Sequence, residues 1–303
     1  MRVMFMGTPD IAVPCLEALI EKHNVVCVVT QPDKPKNRGQ KMAMSPVKEL
    51  ALTHNIDVLQ PTRFKDEAFL PELEKYNPDV IVVIAYGRIL PKYVLEYPKH
   101  GCINVHASLL PKYRGAAPIQ WCIVDGEKVT GITTMLMNEG LDTGDMLLKE
   151  EIVITDTMTG GELHDKMAAM CPALLLETLD KIDEIVPQKQ DDALSCYASM
   201  IDKSMTVIDW TKNAQEIVNL VRGMNPFPAA RTTADGKLLK VFTAEVGSVK
   251  GECGKVLDFT GGIVVGCGDG SVILTEVQPE GKRRMSAKDY LLGNKIKIGD
   301  LLI

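Results

Sequence analysis

Cys102 to Trp121 reads C-I-N-V-H-A-S-L-L-P-K-Y-R-G-A-A-P-I-Q-W. It opens as a short apolar strand (Cys102, Ile103, Val105) with two polar side chains set into it. Side chains alternate along a strand, so Asn104 and His106 share one face and Val105 takes the other. A buried amide and a buried imidazole both need hydrogen-bond partners. Setting both at a strand end is costly unless something polar docks there. Ser108-Leu109-Leu110-Pro111 follows, then a Gly/Pro-punctuated turn and a helix expected from Ala116 to Val124. A strand that ends, a chain that opens and a new helix mark the carboxyl edge of an open α/β sheet, where such sheets bind ligands. On these local features alone the pair reads equally well as a structural His with its Asn partner.

Upstream of this stretch the pattern is that of a mostly parallel sheet. Asp79–Ala85 (D-V-I-V-V-I-A) is the strongest central-strand signal in the chain, and it ends at Tyr86-Gly87-Arg88-Ile89-Leu90-Pro91. Arg2–Met6 and Val25–Thr30 are near-continuous apolar runs, as expected for strands covered on both faces. A helix is predicted from Ile11 to Lys22. The first turn, G-T-P-D-I-A, lacks Gly-x-Gly-x-x-Gly, so NAD is not expected. Pro46–His54 and Lys65–Tyr76 are predicted helices and Val58–Gln60 a short strand. Between them, Gln31–Ser45 is a long polar loop with Lys34, Lys36, Arg38 and Lys41 against a single acid, Asp33. It reads as a solvated excursion or as an arm that grips phosphates.

Downstream, Val129–Asn138 alternates and predicts an antiparallel edge, and Met146–Ile154 returns as a strand. The Gly-rich acidic turn between them, residues 139–145, puts Asp142 at its apex, within possible reach of Asn104 and His106. Thr159–Ile185 is predicted as one long helix, with His164 packed or solvated. Residues 188–204 show little pattern and are read as a linker. Ala214–Arg222 is a short helix, and Asn225-Pro226-Phe227-Pro228 breaks the chain. Short strands with Gly turns then recur (Leu238–Glu245, Gly254–Asp258, Gly262–Gly266, Ser271–Gln278), which suggests a small β-barrel. The expected class is therefore α/β: a Rossmann-like, mostly parallel sheet over 1–187, a linker over 188–204, and a C-terminal, OB-like β-barrel over 205–303.

Composition limits the function. The 303 residues suffice to bury a full core without staples. The eight Cys are scattered, with no Cys-x-x-Cys, so neither a zinc site nor a disulfide framework is expected. Met1–Met6 lacks a signal peptide's long apolar core and no segment is long enough for a bilayer span, so the expected location is cytoplasmic, with no membrane partner. The net charge of −6 speaks against a dedicated nucleic-acid binder. The balance is uneven, however. Residues 205–303 carry 13 Lys+Arg and 11 Asp+Glu, a net of +2, which leaves 21 against 29, or −8, for residues 1–204. Such asymmetry hints at a polyanionic partner on the C-terminal side.

Asn104, His106 and Asp142 together suit acyl transfer. Donors fixed around a carbonyl oxygen stabilise the oxyanion formed on attack, each worth up to roughly 3 kcal/mol. An Asp beside an imidazole holds its tautomer and can also accept a proton, for a gain of about 10²–10⁴. A covalent Cys102 route fails on distance, because four residues of strand put Cys102 about 13 Å from His106. Ser108 has no nucleophile elbow. Direct transfer to an external nucleophile is the expected chemistry.

The run N-V-H-A-S-L-L-P-K-Y-R-G-A-A-P-I-Q-W, followed by G-L-D-T-G-D-M, resembles the folate-dependent formyltransferase family. M-G-T-P-D-I-A-V-P, the basic Q-P-D-K-P…R-G-Q-K loop, N-P-F-P and G-K-R-R-M extend the resemblance over essentially the whole chain, toward the branch that acts on tRNA. Lys203-Ser204-Met205 departs from a usually more acidic stretch. The resemblance implies a catalytic trio of Asn104, His106 and Asp142. It implies 10-formyltetrahydrofolate as formyl-donor co-substrate, with no metal. Ser108, Leu109, Leu110 and Pro111 would lie against the folate, and Arg88, Ile89 and Leu90 would line the pterin pocket. The acceptor it implies is the α-amino group of methionine on initiator tRNA, formylated for translation initiation. Arg38, with Lys34 and Lys41, would enter the acceptor stem, and the barrel, with Lys282, Arg283 and Arg284, would hold the tRNA. A monomer is expected. The alternatives are another folate-linked enzyme (a formyltransferase acting on a nucleotide sugar or glycinamide ribonucleotide, or a 10-formyltetrahydrofolate hydrolase) and a non-catalytic RNA-binding protein. A small substrate needs neither the basic loop nor the barrel.

Overall fold

The computed structural model describes residues 1–36, 41–293 and 296–303. Its strands in chain order are β1 (Arg2–Gly7), β2 (Asn24–Val29), β3 (Lys34–Lys36), β4 (Lys41–Ala43), β5 (Val58–Leu59), β6 (Val80–Ile84), β7 (Cys102–His106), β8 (Arg114–Gly115), β9 (Val129–Leu136), β10 (Met146–Val153) and β11 (Tyr197–Ala198). The C-terminal strands are β12 (Ala230–Ala234), β13 (Lys237–Gly247), β14 (Val256–Asp258), β15 (Ile263–Gly266), β16 (Ser271–Pro279) and β17 (Met285–Ser286). The principal helices are α1 (Val13–Lys22), α2 (Pro46–Thr53), α3 (Leu70–Tyr76), α4 (Lys92–Leu95), α5 (Pro118–Val124), α6 (Gly160–Asp180), α7 (Ala214–Gly223) and α8 (Ala287–Gly293).

Two compact units emerge. One comprises Met1–Gly115, Thr130–Ile152 and His164–Tyr197; the other comprises Ala116–Val129, Val153–Leu163 and Ala198–Ile303. Each draws on separated stretches of the chain, a division that no composition shift marks.

The first unit is built on a seven-stranded sheet of order β10-β9-β7-β6-β1-β2-β5. The β5-β2-β1-β6-β7 run is parallel, and β9 joins it antiparallel to β7. The uninterrupted apolar run of β6 takes the middle position and is buried throughout. Met4, Met6, Ile81 and Val83 point from β1 and β6 into one core with Phe64, Phe69, Leu73 and Leu90. The predicted antiparallel edge is displaced by one strand, because β10 lies outside β9 and takes the edge itself.

Local chemistry explains the other differences from expectation. The helix expected over 65–76 splits, because Asp66 and Glu67 adopt φ of 55° and α3 restarts at Leu70 with Pro71 in its first turn. Left-handed backbone cannot continue a helix. The helix expected at Ala116 begins at Pro118, which suits the first helical turn, where a missing N–H costs nothing. The polar 31–45 stretch holds a short antiparallel hairpin, β3 with β4. Its root is fixed by Thr30 Oγ1 to Ser45 Oγ at 2.8 Å and Lys48 Nζ to Asp33 Oδ2 at 2.7 Å.

In the second unit β12-β13-β16-β15-β14 form an antiparallel sheet that curls into a half-barrel, with β17 on β16. Residues 301–302 close it, since Leu302 bridges Ala234 at the end of β12 while Leu301 bridges Lys255 beside β14. Val241, Val265, Val272 and Leu274 fill the interior, and α7 supplies Ile217 and Val221. Helix α7 starts on a full capping box, Asn213 with Glu216. No helix among the described residues is long and apolar enough to cross a membrane.

Candidate active site

Strand β7 carries Asn104 and His106 to the carboxyl edge of the sheet, opposite Met135 and Thr133 of β9. Both side chains are almost fully enclosed, with exposures of 8% and 6%. The Asn104 carboxamide makes no hydrogen bond to any described residue. Although the residue as a whole is enclosed, its amide is not among the fully buried polar atoms left without a partner, so the carboxamide keeps access to the space at the strand's end. The donor is therefore available to a ligand.

His106 is held by one ring nitrogen and turns the other toward Asp142. Its Nε2 lies 2.8 Å from the carbonyl oxygen of Tyr113. A carbonyl oxygen only accepts, so Nε2 carries the hydrogen and donates it. Nδ1 then faces the Asp142 carboxylate, with Oδ2 at 3.8 Å. In the imidazolium both nitrogens donate, and the second one is aimed at the space beside that carboxylate. Asp142 is itself fixed, since its Oδ2 accepts the Gly115 N–H at 2.9 Å. Its φ of 52° puts a non-glycine residue in left-handed backbone at the apex of the turn. The three side chains expected to form the site thus share one face of β7 and the turn before β10.

The 108–113 segment that follows β7 is tightly pinned. Thr133 Oγ1 donates to the Ser108 carbonyl at 2.7 Å and accepts the Leu110 N–H at 3.2 Å. Lys149 Nζ donates to the Leu110 carbonyl at 2.6 Å, and burial lowers the Lys149 ammonium from its ordinary range. The Leu110–Pro111 peptide is cis. Ser108 is fully buried and its hydroxyl donates to the Lys112 carbonyl at 2.6 Å, so it closes its own turn. Leu110 is buried, while Leu109 and Pro111 are half-buried.

The second expected ligand-facing segment, Arg88-Ile89-Leu90, begins four residues beyond the end of β6. Arg88 is anchored through Nε to Gln31 Oε1 at 3.3 Å and Nη1 to the Thr62 carbonyl at 2.9 Å. Ile89 stands 78% exposed, whereas Leu90 belongs to the core. Tyr86, just upstream, is buried; its hydroxyl has no partner among the described residues, and burial pushes the phenol up to about 12. Burial also pushes the Cys102 thiol up, and its Sγ contacts only the Val94 carbonyl at 3.6 Å among the described residues. It is no nucleophile, in agreement with the distance argument.

The expected nucleic-acid residues fall into different situations. Arg38 lies outside the described residues. Lys34 sits exposed on β3, and Lys41 is on β4. Lys282 and Arg283 are exposed on the turn after β16. Arg284 departs from the expectation of a free phosphate contact: it pairs with Glu276 and lies 4.3 Å over the Phe242 ring. No group of three or more His, Cys, Asp or Glu among the described residues could hold a metal.

Two parts of the site had no sequence signal. Gln190, in the stretch read as a linker, donates through Nε2 to the Asp142 carbonyl at 2.8 Å and to the Gly144 carbonyl at 2.7 Å. The Tyr113 carbonyl fixes His106 from a residue whose own φ is 59°. Thr133, by contrast, was readable, because β9 alternation points it to the face it shares with its partner His106.

Residues 1–179 match the family described as Formyl transferase, and residues 200–295 match its C-terminal domain. A methionyl-tRNA formyltransferase from Clostridium novyi (strain NT) is 53% identical over 308 residues, spanning all of both chains. A solved methionyl-tRNA formyltransferase from Clostridium thermocellum superposes with a TM-score of 0.58 at 19% identity, covering 82% of this chain and 94% of that one. HypX from Aquifex aeolicus, solved in complex with tetrahydrofolic acid, superposes with a TM-score of 0.62 at 17% identity, covering 99% of this chain. The chain spans about half the length of that HypX chain (50%).

Proposed function

The chain belongs to the formyl transferase family, among its methionyl-tRNA formyltransferases, and from that premise we propose that Asn104, His106 and Asp142 are its catalytic centre. The reaction moves the formyl group of 10-formyltetrahydrofolate to the α-amino group of methionine on initiator tRNA. One observation carries the assignment of residues: an accessible Asn104 carboxamide, bonded to no described residue, on the strand face it shares with His106, whose Nδ1 looks at Asp142 across 3.8 Å.

The folate co-substrate supplies an electrophilic formyl carbonyl, and the donor set suits it. Asn104 has free N–H donors for the oxygen that gains charge on attack. His106, charged, offers the Nδ1 hydrogen. Its Nε2 is already spent on Tyr113, so Nδ1 is the nitrogen that serves the reaction. The nucleophile needs no activation beyond loss of one proton. A free α-amino group titrates near about 7.7–8.0, so a neutral fraction exists at pH 7. As its nitrogen bonds to the formyl carbon, the proton it sheds passes to Asp142, directly or through water; the oxyanion then collapses, the bond from the formyl carbon to the folate nitrogen breaks, and that nitrogen takes up a proton and leaves as the amine. Holding amine and carbonyl in register accounts for most of the remaining acceleration.

Leu109, Leu110, Pro111, the exposed Ile89 and the anchored Arg88 are the residues that would hold the pterin. Ser108 serves by closing the turn rather than by contact. Lys34 on β3 and Lys41 on β4, together with Arg38, and Lys282 and Arg283 on the barrel would meet tRNA phosphates. The protein works in the cytoplasm as a monomer. The test is formylation of charged initiator tRNA with 10-formyltetrahydrofolate, compared with charged elongator tRNA and with methionine amide. Rapid transfer to the initiator alone is expected. Equal turnover on the small amine would overturn the tRNA reading, and tRNA binding without transfer would overturn the catalytic one.

A further inference from the structure

Asp142 does its work from the apex of a turn whose backbone is held from outside. The turn has some support of its own, because Asn138 Oδ1 accepts from the Gly140 N–H at 3.0 Å and from Thr143 Oγ1 at 2.8 Å. These bonds tie Asn138 to residues on both sides of Asp142 but reach neither its carbonyl nor that of Gly144. Those two carbonyls, flanking Thr143 where Asp142 adopts left-handed backbone, are taken by Gln190. Both amide hydrogens of that side chain are used, one on the Asp142 carbonyl and one on the Gly144 carbonyl, so the carboxamide spans Thr143 like a clip.

The clip is itself oriented. Gln190 Oε1 accepts from Arg114 Nε at 2.9 Å, which leaves the amide only one sensible way round. Arg114 is fixed in turn by Nη2 to Asp192 Oδ1 at 2.8 Å and by its own N–H to the Cys196 carbonyl at 2.9 Å. The next residue, Gly115, gives its N–H to the Asp142 carboxylate. Backbone and side chain of Asp142 are therefore both referred to the same short strand, β8.

We infer that Gln190 is a positioning residue for formyl transfer, acting through the backbone of Asp142 with Arg114 as its support. The inference rests on the reading of Asp142 as catalytic. Gln190 touches no reacting atom; it sets where the carboxylate stands relative to His106 Nδ1. Losing both donors frees a strained turn, and misplacing a catalytic group by about 1 Å costs on the order of 100-fold in rate. Because no contact to folate or tRNA is removed, the loss falls on kcat.

The experiment measures kcat and both KM values for Gln190→Ala, Gln190→Glu and Asp142→Asn, each checked by thermal unfolding. Gln190→Glu keeps the length of the side chain and an acceptor for Arg114 but has no hydrogen for either carbonyl. Both Gln190 variants are expected to fold and to lose about 10- to 100-fold in kcat with both KM values near those of the parent. A Gln190→Glu protein with parental kcat would overturn the inference, as would a loss carried by KM in either variant. Asp142→Asn separates the two readings. If it is inactive while the Gln190 variants are normal, only the positioning role fails; if it is fully active, the catalytic assignment of Asp142 fails first.

Discussion

Gly144→Ala places the tightest constraint on this reasoning. A Cβ at Gly144 would lie 1.7 Å from the Leu136 carbonyl oxygen and 2.9 Å from its carbonyl carbon, both of them backbone. Ordinary contact begins at about 3.4 Å, so turn and strand must separate by about 1.7 Å. Leu136 belongs to β9, which is registered against β7 from Ile103 to His106 and cannot retreat without undoing that pairing. The turn therefore moves. Gln190 ties the Gly144 carbonyl to that of Asp142, so Asp142 moves with it. A shift beyond 1 Å at a catalytic group predicts a fall in kcat of about 100-fold or more. Overpacking of this kind costs about 1–3 kcal/mol, against a typical total stability of about 5–15 kcal/mol, so the variant still folds. Steady-state formylation of charged initiator tRNA gives kcat, and a thermal melt confirms the fold. A folded Gly144→Ala protein with the parent's kcat would refute the claim that this turn positions the carboxylate.

Asn104→Ala should lower kcat by about 100-fold, for the loss of one oxyanion donor worth roughly 3 kcal/mol. Its melting temperature should hold, since that carboxamide bonds to no described residue; a large drop in stability would mark Asn104 as structural instead. On the barrel, Arg283→Ala should reduce the slope of log affinity for tRNA against log salt by about one, the expectation for one lost phosphate contact. Arg284→Ala should change that slope less, because Glu276 and the Phe242 ring already occupy its guanidinium; salt titrations of tRNA binding compare the two. Asp33 gives a pH prediction. Hydrogen bonds from Lys48, then from Gln60, hold its carboxyl below the ordinary value of 3.8. A lowered folded value stabilises the ionised form, so the contribution is complete above the ordinary value and lost as pH falls through the folded one. Acid unfolding of Asp33→Asn should accordingly lack that part of the pH dependence, and an unchanged acid limb would show that the Lys48 pair does not hold the hairpin root.

What could be read from the residues alone follows from the range over which each signal acts. β6 announced itself because five consecutive apolar residues need cover on both faces, and the middle of a parallel sheet supplies it. Asn104 and His106 were readable from alternation, since two polar residues two apart on an apolar strand leave no doubt about the face they share. Asp142 was reachable only as a nearby acid at a turn apex, because its pairing with His106 spans 36 residues of chain. The split at Asp66 and the barrel's closure by Leu301 and Leu302 were not readable: one rests on a local backbone state, the other on a segment too short to show any period. Gln190 is the strongest case. Its partners are two carbonyls more than forty residues away, and every residue has a carbonyl, so nothing in the sequence distinguishes those it meets. The two strand side chains proposed to react, Asn104 and His106, follow from strand periodicity, whereas the bonds that aim Asp142 run from side chain to backbone and leave no trace in residue type at the accepting end. It follows that variants of Gln190 and Gly144 test the geometry itself, while variants of Asn104 and His106 test only which groups react.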